Sequence, residues 1–164
     1  MPSSASSSAS SAPRPKRASR VRWLWIDRIL ALEPGERLVA CKAVSLSESH
    51  LHQHFPGRES EEAMPVVPAP LIIEGMAQAG GLLAGHARGF VDDVVLAKLR
   101  KAELHFEVLP GATIEFDARL TNIDDSGASV EGSIHVRDPA WDGPRELGSI
   151  GLMFAHVPPQ REGL

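Results

Sequence analysis

Pro70-Leu71-Ile72-Ile73-Glu74-Gly75-Met76-Ala77-Gln78-Ala79-Gly80-Gly81-Leu82-Leu83-Ala84-Gly85-His86-Ala87 is the stretch that decides how this chain folds. It predicts the only substantial helix, and Pro70 suits a first turn, where a missing N–H is not needed. The interior is unusual in holding Gly75, Gly80, Gly81 and Gly85. Each glycine costs about 1 kcal/mol of helix propensity relative to alanine. Such a helix persists only where tertiary packing compensates, and small residues allow close backbone approach. A buried helix wrapped by a curved sheet meets both conditions.

Segments that read as strands lie on both sides of it. Trp25 to Leu30, the turn Glu33-Pro34-Gly35-Glu36, and Arg37 to Leu46 suggest a hairpin. After the helix come strand-like stretches at 93–106, 112–123, 127–137 and 146–157, parted by Pro110-Gly111, Asp124-Asp125-Ser126-Gly127 and a turn from Asp138 to Pro144. Residues 47–68 read as a long Pro-rich loop, a length that in a compact domain marks function or disorder. One buried helix followed by an antiparallel meander is an α+β arrangement. Residues 1–22, rich in Ser, Ala and Pro, are expected to be a disordered basic tail, with the domain at 23–158 and a short C-terminal tail at 159–164.

A chain of 164 residues suits one domain. Its single cysteine, Cys41, excludes an intramolecular disulfide and points to a reducing, cytoplasmic setting. Cys41 falls in an apolar alternation and reads as a small core residue rather than a nucleophile. No apolar run approaches the roughly 20 residues of a membrane span, so a soluble protein is expected. The tail lacks the apolar region of a secretory signal. It is Ser- and Arg-rich like a transit peptide, but Pro13 and Pro15 interrupt any amphipathic helix there. Residues 1–22 hold five basic residues and no acid, so against the net charge of −4 the remainder carries −9. An acidic body argues against nucleic-acid binding.

His54-Phe55-Pro56-Gly57 lies upstream of Glu74. One imidazole and one carboxylate in an apolar setting can move a proton off carbon and help a hydroxyl leave. Charge gathering on a neighbouring carbonyl would need fixed N–H donors, which a helix start supplies. His50, His52 and His54 alternate, so in a strand they would share a face and could hold a metal. The reading that the loop favours is of histidines of which His54 alone is functional, with no metal. His86, His105, His135 and His156 read as solvated or half-buried residues.

His54-Phe55-Pro56-Gly57, Val67-Pro68-Ala69 and Leu71-Ile72-Ile73-Glu74-Gly75-Met76-Ala77-Gln78 together resemble a family signature: H-F-P-G, then M-P-G, then L-I-x-E-A-x-A-Q. It is that of the hotdog-fold β-hydroxyacyl-[acyl-carrier-protein] dehydratases of fatty acid synthesis, and the resemblance runs from Trp25 to His156. It implies a long central helix wrapped by an antiparallel sheet. The implied reaction converts (3R)-hydroxyacyl-[acyl-carrier-protein] to the trans-2-enoyl form and water, with no cofactor. By resemblance His54 is the base and Glu74 acts on the departing hydroxyl. Ala69, through its N–H, Gly57 and Gln78 are the substrate-binding positions, Gln78 orienting the carboxylate. The resemblance further implies acyl carrier protein as partner and a homodimer whose strands join in one sheet. The acyl tunnel would lie between subunits, with His54 and Glu74 from different chains and a trimer of dimers as the larger assembly. Lys98, Arg100 and Lys101 would dock the acidic carrier or form a plain solvated face.

Three features depart from the pattern. The spacing from His54 to Glu74 is longer, the excess lying in the acidic stretch Arg58-Glu59-Ser60-Glu61-Glu62-Ala63-Met64-Pro65. Ala69 replaces the M-P-G glycine, and no tyrosine exists to gate a tunnel, Val95 lying near that position. Two rival functions remain open: a hotdog acyl-thioesterase, which does not require the H-F-P-G histidine, and a non-catalytic acyl-binding or partner subunit.

Overall fold

The structure, a computed structural model, describes residues 23–54 and 65–159, with side chains described to residue 51 in the first stretch. Its elements are β1 (Arg28–Glu33), β2 (Arg37–Ala43), α1 (Ser49–His54), α2 (Ala69–Ala87), β3 (Asp93–Leu104), β4 (Thr113–Ile123), β5 (Gly127–Arg137) and β6 (Arg145–Val157). The six strands form one antiparallel sheet in the order β1-β2-β4-β5-β6-β3. α2 packs across it, touching every strand from β2 to β6. This is the helix-and-sheet arrangement expected from the glycine-rich stretch.

Period-two alternation sends Ile114, Phe116 and Ala118 of β4 and Val130, Ile134 and Val136 of β5 into the core. α2 answers with Ile72, Gly75, Met76, Ala79 and Leu83, the three-four spacing of one helical face. Gly75 has a specific reason: a Cβ there would fall inside the Phe116 ring. Gly132 of β5 likewise leaves room for the Met76 side chain. Close seating of α2 therefore depends on glycines on both layers, and burying a side chain such as Phe116 contributes about 1.5–3 kcal/mol.

Two expectations are corrected. The stretch read as loop holds α1, so the backbone of His50, His52 and His54 is helical, while the side chains of His52 and His54 lie outside the described residues. Among the described residues no cluster of three or more His, Cys, Asp or Glu could hold a metal. Cys41 is not in the core: β2 turns Leu38 and Ala40 inward and leaves Cys41 half-buried on the other face. Partial burial pushes its thiol pKa up, away from nucleophilic use.

Gly75→Ala and Gly81→Ala test the seating. At Gly81 an added Cβ would meet only Phe154 Cε1, at 3.5 Å, an ordinary contact. In urea unfolding, Gly75→Ala should lose about 1–3 kcal/mol through overpacking, although alanine regains about 1 kcal/mol of propensity. Gly81→Ala should hold or gain stability, and a shift of both variants in the same direction would refute the close approach.

Candidate active site

Glu74 sits about one turn into α2, half-buried, in the wall of a cavity of about 650 Å³ shared with Leu24, Ala77, Gln78, Leu82 and Phe90. Gln78, four residues on, lies on the same helical face. Its Nε2 donates to Glu74 Oε1 at 2.9 Å. Its Oε1 accepts the backbone N–H groups of Trp25, at 2.9 Å, and Ile26, at 3.3 Å. Because two backbone donors claim the oxygen, the amide can face Glu74 only with its nitrogen. The carboxylate is thus oriented by a side chain that is itself locked. Glu74 Oε2 carries no hydrogen bond among the described residues.

A second feature forms at the start of α2. The first N–H groups of any helix lack intrahelical partners. Here Pro68, the N-cap, and Pro70 have none, and the Leu71 N–H is taken by the Pro68 carbonyl at 2.9 Å. That leaves the Ala69 N–H, reinforced by the positive end of the helix dipole. Ala69 lines a separate cavity of about 620 Å³ with Val67, Ile72, Phe106 and Val108. The Val67 N–H donates to the Val108 carbonyl at 2.9 Å and fixes the approach to the helix. Ala69 is not at positive φ, since Phe90 is the only non-glycine so placed among the described residues. Alanine therefore stands in the M-P-G glycine's place without backbone strain.

Within one chain these groups do not converge. Ala69 and Glu74 are five residues apart on α2, roughly 7.5 Å along the axis and 140° around it, and they open into different cavities. His54 ends α1, and its side chain, Gly57 and residues 58–64 lie outside the described residues. The base of α1 is well anchored. Leu51 is buried, and His50 stands edge-on to Trp25 with centroids 5.1 Å apart. Lys42 lies 4.9 Å over the Trp25 ring and 3.0 Å from Glu48 Oε1, while His50 Nε2 is 3.5 Å from Glu48 Oε2. Sequence reasoning missed this cluster because Trp25, Lys42 and Glu48 share no local spacing.

Residues 18–136 match the family model of the FabA-like domain, a span that includes His54, Ala69, Glu74 and Gln78. The chain belongs to the FabA-like family. It is 41% identical over 106 residues to the 3-hydroxyacyl-[acyl-carrier-protein] dehydratase FabZ of Magnetococcus marinus, covering 62% of this chain and 64% of that one. The chain thus spans just under two thirds of that relative. It is 35% identical over 126 residues to the FabZ of Campylobacter concisus, covering 73% and 81%. Among solved structures, the dehydratase heterocomplex ApeI:P from Xenorhabdus doucetiae superposes with a TM-score of 0.62 at 19% identity, covering 84% of each chain. A thioesterase family protein from Silicibacter pomeroyi does so with a TM-score of 0.62 at 14% identity, covering 80% and 85%. These two likenesses concern the fold, which is the hotdog fold.

Gln78→Leu should separate family membership from local architecture. It strands the Trp25 and Ile26 N–H groups, so denaturant unfolding should show a loss of about 1–3 kcal/mol. Unchanged stability would mean that the N-terminal segment does not depend on this side chain.

Proposed function

We propose that this chain dehydrates (3R)-hydroxyacyl-[acyl-carrier-protein] to trans-2-enoyl-[acyl-carrier-protein] and water. The observation that carries the reading is Glu74, held by Gln78 at one end of an apolar cavity, at the family's position. The FabZ relatives support the reaction by name. His54 takes the proton from C2, and the Ala69 N–H donates to the thioester oxygen as negative charge gathers there. The C2–C3 double bond forms as the C3–O bond breaks. Glu74 donates its proton to the departing hydroxyl, which leaves as water.

Two subunits build each site in this reading. Ala69 and Glu74 open into separate cavities of one chain, as a site divided between chains requires. β3 is a twelve-residue edge strand with Val95, Leu96 and Leu99 exposed at 49%, 42% and 42%. A long apolar edge invites strand pairing. Pairing with β3 of a second copy would join the two sheets, and it lies where it would roof the Glu74 cavity. A trimer of such dimers is the proposed larger assembly. The partner is acyl carrier protein, whose acidic surface Lys98, Arg100 and Lys101 would meet. Arg100 and Lys101 already contact Glu131, at 3.4 Å, and Glu103, at 2.8 Å, both solvent-exposed pairs that exchange readily. The proposed setting is the cytoplasm, and no helix among the described residues is long and apolar enough to cross a membrane.

Absorbance of the conjugated enoyl thioester follows the reaction. His54→Ala and Glu74→Gln should each lower kcat by about 10²–10⁴-fold. If the pair comes from different chains, mixed dimers of the two variants regain one intact site, and equal mixing should restore about a quarter of native activity. No recovery after verified subunit exchange would place both groups on one chain. Native inactivity at every acyl length would favour an acyl-binding subunit, and thioester cleavage that survives loss of His54 would favour a thioesterase.

A further inference from the structure

We propose that Phe90 is the end wall of the cavity that begins at Glu74, and that it sets the longest acyl chain the site accepts. The identity of the ligand rests on the dehydratase reading; the wall rests on geometry.

α2 ends in a Schellman turn: the Gly89 N–H donates to the His86 carbonyl at 3.0 Å and the Phe90 N–H to the Gly85 carbonyl at 2.8 Å. Glycine at the first left-handed position, with φ of 63°, is expected there. Phe90 is not expected to follow it with φ of 54°. A bulky residue in that region is strained and persists only where its surroundings over-determine it. Core burial is not the compensation, because Phe90 is 59% exposed.

The flanking residues supply the constraint. Arg88 reaches across the turn to Asp92 Oδ2, with Nε at 3.2 Å and Nη2 at 3.0 Å, and its Nη1 lies 3.0 Å from Asp125 Oδ1 beyond β4. The ring is thereby laid on Gly85, where an added Cβ would come within 2.6 Å of Cε1, and edge-on to His86. Only glycine at position 85 provides that seat.

The result is a trough with two ends. Glu74, Ala77, Gly81 and Gly85 follow one another at three-four spacing on one face of α2. From Glu74 to Gly85 is roughly 16 Å along the helix. Ala77 and Gly81 are the small residues of its floor, and Leu24, Leu82, Val94 and Phe154 are among its sides. Phe90 lines the same cavity, as do Asp92 and Asp93. A largely apolar trough with one carboxylate at its head suits an acyl chain. An aromatic ring and two carboxylates at the far end suit its termination.

The test uses the full chain and its Phe90→Gly variant, glycine being at ease at this φ. Turnover is measured on 3-hydroxyacyl N-acetylcysteamine thioesters of rising length. Opening the wall should raise the ratio of long-chain to short-chain kcat/KM by about tenfold or more. A ring that only covers Gly85 would change the melting temperature and leave the length profile alone, which overturns the proposal. Should the parent show no turnover at any length, the dehydratase reading fails by itself. Calorimetric binding of saturated acyl N-acetylcysteamine thioesters then decides Phe90: a longer cutoff in the variant upholds the wall, and an unchanged profile overturns it.

Discussion

The Phe116 ring stands where residue 75 would carry a side chain, and that contact sets how near α2 approaches the sheet. A larger residue at 75 would lift the helix, and with it Met76, whose side chain occupies the room left by Gly132. The proposed site depends on this depth. Glu74 and Ala69 both belong to α2, and the walls opposite them come from β3 and its connections. A helix held by glycine-aromatic packing is stiff enough to fix a carboxylate, yet its small residues leave open space beside it.

Gln78 joins that helix to the N-terminal segment. One amide satisfies Trp25, Ile26 and Glu74 together, so the carboxylate's aim and the seating of residues 23–26 are a single arrangement. Trp25 in turn packs against His50 and Lys42, at the base of the helix that ends at His54. Glu74 is therefore connected through packed side chains to the base of α1, though the two lie on elements distant in sequence.

The sheet leaves β3 unpaired on its outer side, with apolar side chains exposed along it. A monomer would pay for that edge in aggregation, whereas a second copy turns it into interior. The same pairing would account for a chain whose Ala69 N–H and Glu74 carboxylate open into different cavities.

Much of the fold was legible because its signals are local. The bounds of β5 were read to the residue and those of β4 and β6 to within one, since alternation and Gly- or Asp-rich turns mark them. The i, i+4 spacing of Glu74 and Gln78 by itself puts them on one helical face. α1 was not legible: a six-residue helix is too short to nucleate alone, and it stands through Leu51 and the Trp25–His50 contact. Nor was the face of Cys41, because alternation gives a period while only the covering helix decides which phase is inside. The amino-acid sequence by itself determined the strands that follow α2, the glycine-bearing helix and the chemical groups at its start. Tertiary structure alone decided that Gln78 meets Trp25 across 53 positions, that Arg88 at the end of α2 meets Asp125 in the turn after β4, and that Ala69 and Glu74 open into different cavities. Spacing along a chain governs what a segment can become; which distant group then meets it depends on packing that no single segment encodes.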